Sequence, residues 1–129
     1  MIVLDTHIWL WWINQDTKNL GHSLLDRIAK ENFVGVCAIS CFEVAWLQSH
    51  GRISLQCDVG IWFERALEGS DIALLPISPE IARCAAELPE HHSDPQDRLI
   101  IATSITHNAQ LASKDKKFQL YRELSDLLL

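Results

Sequence analysis

Short apolar runs alternate with amphipathic stretches along this chain. Ile2-Val3-Leu4 is rich in β-branched residues and ends in Asp5-Thr6, the pattern of a buried central strand with a carboxylate at its carboxyl tip. Residues 7–13 are too apolar for a solvated loop and predict a short buried or interfacial helix closed by Asn14. Residues 23–30 predict a helix with Leu24, Leu25 and Ile28 on one face, and 33–39 read as a second continuous apolar strand. Ser40-Cys41-Phe42-Glu43 has capping-box spacing ahead of a helix that Gly51 would end. A helix over 59–67, a strand over 72–77 with Pro76 marking an edge position or a strand end, and a helix opened by Pro79 and stopped at Pro89 follow. In the stretch 92–103, Asp94 is the predicted N-cap, Pro95 the first helical residue and Asp97 a first-turn acid, with Leu99, Ile100, Ala102 and Thr103 starting a buried face. Residues 110–113 form a short strand just before Asp115, and residues 118–129 fit no single period. The alternation predicts an α/β fold with a central parallel sheet of roughly four to five short strands.

Composition narrows the class. A chain of 129 residues, 48% hydrophobic and 22% charged, predicts a single domain over 1–129 with a sizeable core. No apolar run approaches the roughly 20 residues of a membrane span, and the opening Met1-Ile2-Val3-Leu4-Asp5 lacks the basic segment of a signal peptide. Cys37, Cys41, Cys57 and Cys84 lack framework spacing and read as reduced thiols, which points to the cytoplasm; Cys37 and Cys41 have zinc-compatible spacing without a second pair. The net charge of −6 excludes a protein that coats nucleic acid through a basic face. It leaves room for one that handles phosphates through carboxylate-held metal ions.

The acids fall where such a site would be built. Asp5 ends the first strand, Glu43 follows the second, Asp97 opens the late helix, and Asp115 follows the last strand. In a parallel sheet all four project at one rim, where ligands of open α/β folds bind. Each has a plain structural alternative: Asp94 and Glu43 as caps, Asp115 as a turn residue. Asp5 has the weakest, because a charge after a buried strand needs a partner. Like charges so gathered resist ionising unless a cation shares the site, and Mg²⁺ or Mn²⁺ suits oxygen ligands. Thr6 and Ser40 are placed to hydrogen-bond the acids. Lys114, Lys116 and Lys117 form the densest basic patch, a backbone track or simply a solvated helix start, and Arg98 is a candidate phosphate contact. A histidine–metal site from His7, His91 and His92 is unnecessary beside so many oxygen ligands.

The sequence resembles the PIN-domain nucleases of the VapC-like toxin class along essentially its whole length. The resemblance is carried by Ile2-Val3-Leu4-Asp5-Thr6-His7, Ser40-Cys41-Phe42-Glu43-Val44, Asp94-Pro95-Gln96-Asp97-Arg98-Leu99-Ile100-Ile101-Ala102 and Ala112-Ser113-Lys114-Asp115. It implies a PIN-like three-layer α/β/α fold and a cytoplasmic, metal-dependent endoribonuclease. It also implies the toxin of a type II toxin–antitoxin pair, a homodimer inhibited by a cognate antitoxin. Asp5, Glu43 and Asp97 match the family's acidic triad, Asp115 a fourth acid, and Ser113 the position usually held by Thr or Ser; Asp94 belongs to the motif, with capping as its first role. The alternatives are a non-cleaving RNA-binding scaffold on the same fold and a DNA-directed nuclease using the same acids. A haloacid-dehalogenase-like phosphatase would need Asp-x-Asp where this chain has Asp5-Thr6-His7, and a P-loop or dinucleotide enzyme a glycine-rich turn. Five tryptophans are too many to bury around one small sheet, so the early Trp-rich helix and the Trp46 helix are predicted to supply part of a dimer or antitoxin surface.

Overall fold

All three residues of β1 (Ile2–Leu4) are wholly buried, and they divide between two cores. Ile2 and Leu4 pack into one cluster with Ile8, Trp9, Ile28, Val44 and Trp62; Val3 packs into another with Ile100, Ile101, Leu111, Phe118 and Tyr121. Alternate residues of a strand point to opposite faces, so this division makes β1 a central strand covered on both sides. The computed structural model describes residues 1–91 and 93–129; His92 lies outside the described residues.

The remaining elements are α1 (Thr6–Ile13), α2 (Thr17–Leu20), α3 (His22–Ala29), β2 (Val34–Cys37), α4 (Ile39–Ser49), α5 (Val59–Leu67), β3 (Ala73–Leu75), α6 (Pro79–Glu87), α7 (Pro95–His107) and β4 (Gln110–Ala112). The sheet has the order β3-β2-β1-β4, and every pairing is parallel. The first core gathers residues of α1, α3, α4 and α5; the second gathers α7 and the C-terminal segment, and α6 packs on α7 through Ile81, Ala85 and Ala102. The result is the three-layer α/β/α arrangement, with a sheet of four strands.

β3 is an edge strand and stops at Leu75, directly before Pro76. β2 is shorter than the apolar run 33–39, because Ala38 and Ile39 turn into α4. Residues 118–129, without a period of their own, form 3₁₀ turns over Lys116–Leu120 and Arg122–Leu124 before Leu128 pairs with Leu111. Phe118, Tyr121 and Leu124 in those turns are buried in the second core, so tertiary packing rather than propensity orders the segment.

Candidate active site

Because the strands are parallel, their carboxyl ends share one edge, and the chain after β1, β2 and β4 turns there into Asp5, α4 and Ser113. Asp5 caps α1: its Oδ1 accepts from the Thr6 amide at 2.7 Å, and its backbone N–H donates to Ala112 O of β4 at 3.0 Å. Its Oδ2 accepts from Ser113 Oγ at 2.8 Å. Although donated to twice, its carboxyl, only 8% exposed, is pushed above the ordinary range, burial outweighing the hydrogen bonds.

Asp94 caps α7 as the sequence predicts, Oδ1 accepting from Gln96 N at 2.9 Å, with Pro95 following in the first turn. Asp97 therefore sits in the first turn of α7. Burial, with the negative charges of Asp5, Asp94, Glu43 and Asp115 added to it, pushes its carboxyl up to about 8. Asp115 caps the 3₁₀ turn after β4 through its Oδ1, which accepts from Lys117 N at 2.9 Å.

Glu43 departs from expectation. The cap of α4 is Ala38, with no side-chain hydrogen bond, so Ser40 lies inside the helix and no capping box forms. The buried Ser40 Oγ instead accepts from Thr6 Oγ1 at 2.9 Å, which joins α4 to α1 beneath the acids. Freed from capping, Glu43 turns to the cleft. Its Oε2 is buried with no hydrogen-bond partner among the described residues, and burial, reinforced by the Asp5 and Asp94 charges, raises its carboxyl too.

Asp5, Glu43, Asp94, Asp97 and Asp115 line one cleft of about 400 Å³ together with His7, Ile8, Trp11 and Lys114. No three His, Cys, Asp or Glu side chains among the described residues converge tightly enough to enclose an ion unaided. The wall suits an ion that takes one or two carboxylates and keeps its own waters, as Mg²⁺ does. An orphaned, buried carboxylate oxygen beside raised acids is the environment that such a cation relieves.

Arg98 is not part of the cleft wall. Its guanidinium, 8% exposed, donates to the carbonyls of Ala85, Leu88 and Pro89 at 2.7–3.1 Å and to Ala86 O at 3.4 Å, closing the C-terminal end of α6. Lys116 and Lys117 are exposed in the turn after Asp115 and do not line the cleft; Lys114 does. Ser113 bonds Asp5 rather than the Asp115 carboxylate, and its Oγ accepts from the Asp115 amide at 3.1 Å. Among the tryptophans, Trp9 is buried in the first core and Trp46 is 41% exposed. Sequence reasoning missed Trp11 and His7 as parts of the cleft wall; their spacing on one turn of α1 directly after Asp5 was the available signal. The four cysteines are free thiols, and no helix among the described residues is long and apolar enough to cross a membrane.

Residues 2–124 match the PIN domain family. Ribonuclease VapC22 of Mycobacterium tuberculosis is 34% identical over 122 residues, spanning 94% of this chain and 92% of that protein. Among solved structures, VapBC2 from Rickettsia felis bound to a DNA fragment from its promoter covers 100% of this chain and 98% of the matched one, at a TM-score of 0.68 and 23% identity. A toxin–antitoxin complex from Klebsiella pneumoniae covers 100% and 96%, at a TM-score of 0.65 and 19% identity. These two likenesses establish the fold.

Proposed function

Because the chain belongs to the PIN domain family, we propose that it is a Mg²⁺- or Mn²⁺-dependent endoribonuclease, one domain over its whole length, acting as the cytoplasmic toxin of a toxin–antitoxin pair. The identity to a VapC ribonuclease supports the reaction, and the likeness to toxin–antitoxin complexes supports a cognate antitoxin as inhibitor. A homodimer is part of the same reading. The observation that carries it is the convergence of Asp5, Glu43, Asp97 and Asp115 from separate elements on one cleft, with Asp97 pushed up to about 8.

The catalytic and metal-holding residues in this reading are Asp5, Glu43, Asp97 and Asp115. A bound divalent cation supplies a polarised water and neutralises charge developing on the phosphate. Asp5 is held in one orientation by the Thr6 amide and Ser113 Oγ, so it contributes a fixed oxygen edge. Asp97, whose carboxyl burial and the neighbouring acids push up to about 8, would give up its proton to hold a cation beside it. Glu43 Oε2, a buried acceptor without a partner among the described residues, takes the proton from the attacking water. Asp94 keeps α7 in register through its cap, and Lys114 on the wall binds substrate phosphate.

The test is cleavage of a panel of structured RNAs with Mg²⁺ or Mn²⁺, beside a chelator control and identically purified Asp5→Asn and Asp97→Asn proteins. Metal-dependent cutting lost in both variants is the expected result. Cutting that persists in the variants, or none by folded, antitoxin-free wild type, overturns the reading.

A further inference from the structure

Consecutive tryptophans at the end of α1 serve different parts of the molecule. Trp12 faces a cavity lined by Asn14, Gln56 and Arg65, whereas Trp11 stands on the wall of the acidic cleft. The other indoles are engaged within the protein. Trp9 and Trp62 meet edge to face at 4.9 Å, their N–H groups donating to Ala66 O and Asn14 Oδ1, and Trp46 stacks on His50 at 3.9 Å. Trp11 is half-buried, and its nearest ring, His7, lies 5.9 Å away at 54°, too tilted for flush stacking. Lys114 lies over the indole at 5.8 Å from its centroid, its ammonium tethered to Asn19 O at 2.5 Å.

We propose that Trp11, flanked by His7 and Lys114, is a stacking shelf for one unpaired nucleobase of the RNA strand whose phosphate enters the cleft. This rests on the ribonuclease reading above and adds to it a residue that holds the substrate by its base. The electrostatics favour such a contact. A protein of net charge −6 with five carboxylates in its cleft gains little from counterion release, so it needs an attraction that does not depend on positive surface. Stacking on an aromatic face is that attraction, and it requires a base out of its helix. His7 and Lys114 are exposed side chains that fold against a seated base, with the Lys114 ammonium toward the adjoining phosphate.

The test is equilibrium binding, by fluorescence anisotropy, of a short labelled single-stranded oligoadenylate to Asp97→Asn protein, which is used to prevent cutting. The comparisons are an abasic ribose–phosphate chain of equal length, the oligoadenylate annealed to oligouridylate, and Trp11→Ala and Trp11→Phe added to the same background. The shelf predicts that abasic substitution and Trp11→Ala each weaken binding roughly 10- to 100-fold. It also predicts that their combination adds nothing, that Trp11→Phe retains most of the affinity, and that the duplex binds poorly. Circular dichroism melts establish that each variant is folded. Equal binding of abasic and intact chains, independent effects of Trp11→Ala and the abasic change, or duplex binding as tight as single-strand binding overturns the shelf. Because nothing is cut, the two readings fail separately: base-dependent binding by a wild-type protein that cleaves no RNA refutes only the ribonuclease.

Discussion

Ser113 Oγ donates to Asp5 Oδ2 at 2.8 Å and accepts from the Asp115 amide at 3.1 Å, so one hydroxyl orients two of the cleft's acids across the β1–β4 seam. The Asp5 carboxylate depends on that donor to offset part of its burial. Ser113→Ala is expected to cost about 1 kcal/mol in stability and to raise the Asp5 pKa further. The rising limb of the proposed activity then moves to higher pH, while Ser113→Thr keeps the wild-type profile. Parallel urea titrations and pH–rate profiles decide it; an unmoved profile for Ser113→Ala would show that Ser113 does not support Asp5.

Asp97 makes the metal-free protein sensitive to alkali. Its carboxyl is raised from 3.8 unfolded to about 8 folded, so between those values the native state holds a proton that the unfolded chain has lost. The stabilisation is complete below pH ~4 and is lost as pH rises through ~8. Thermal melts in chelator are therefore expected to fall across pH 5–8, with Asp97→Asn flattening the fall and melting above wild type at pH 8. Added Mg²⁺ or Mn²⁺ stabilises wild type more at the alkaline end. A chelated melting temperature that rises over this window would contradict the assignment.

Arg98 is a structural cap, so its removal should affect stability and leave the proposed chemistry intact. Arg98→Ala leaves several carbonyls at the end of α6 without a donor and is expected to cost about 2–4 kcal/mol. Arg98→Lys, lacking the planar fork, recovers little of it. At a temperature where both remain folded, cleavage per folded molecule stays within about twofold of wild type; a loss tracking RNA affinity would restore a phosphate role.

Gly35 of β2 leaves no room for a side chain against β3. A Cβ there would lie 2.9 Å from Leu75 Cδ1 and 3.3 Å from Ala73 O. Gly35→Ala is expected to destabilise by about 1–3 kcal/mol through overpacking, and shortening Leu75 to Val in the same protein should recover part of that. Chemical denaturation of the single and double variants measures it.

Much of this was readable in the amino-acid order because local chemistry and tertiary position agree. The three residues of β1 are buried on both faces and therefore uninterrupted in apolar character, and Asp94-Pro95 announces α7 by the geometry of a helix start. Glu43 was placed at the right rim for the wrong local reason. Ser40 and Glu43 carry capping-box spacing, but the cap of the helix falls earlier, at Ala38, and Ser40 is claimed by Thr6, 34 positions away. Arg98 misled because its neighbour Asp97 lines the cleft; one residue further round a helix points away from it, and the carbonyls of α6 that receive it are set only by packing. The turns after Asp115 have no period because their order comes from burying Phe118, Tyr121 and Leu124.

The Asp5–Ser113 bond spans 108 positions, and the Asp5 amide itself is anchored on Ala112 of β4. A ribosome makes Asp5 well before the residues that support it. A nascent chain still lacking β4 carries the proposed site acids Asp5, Glu43 and Asp97 without Asp115 and without the edge that orients Asp5. The proposed nuclease is thus inert until β4 and Ser113 have been made and docked beside β1, an interval in which an inhibitor can already be waiting.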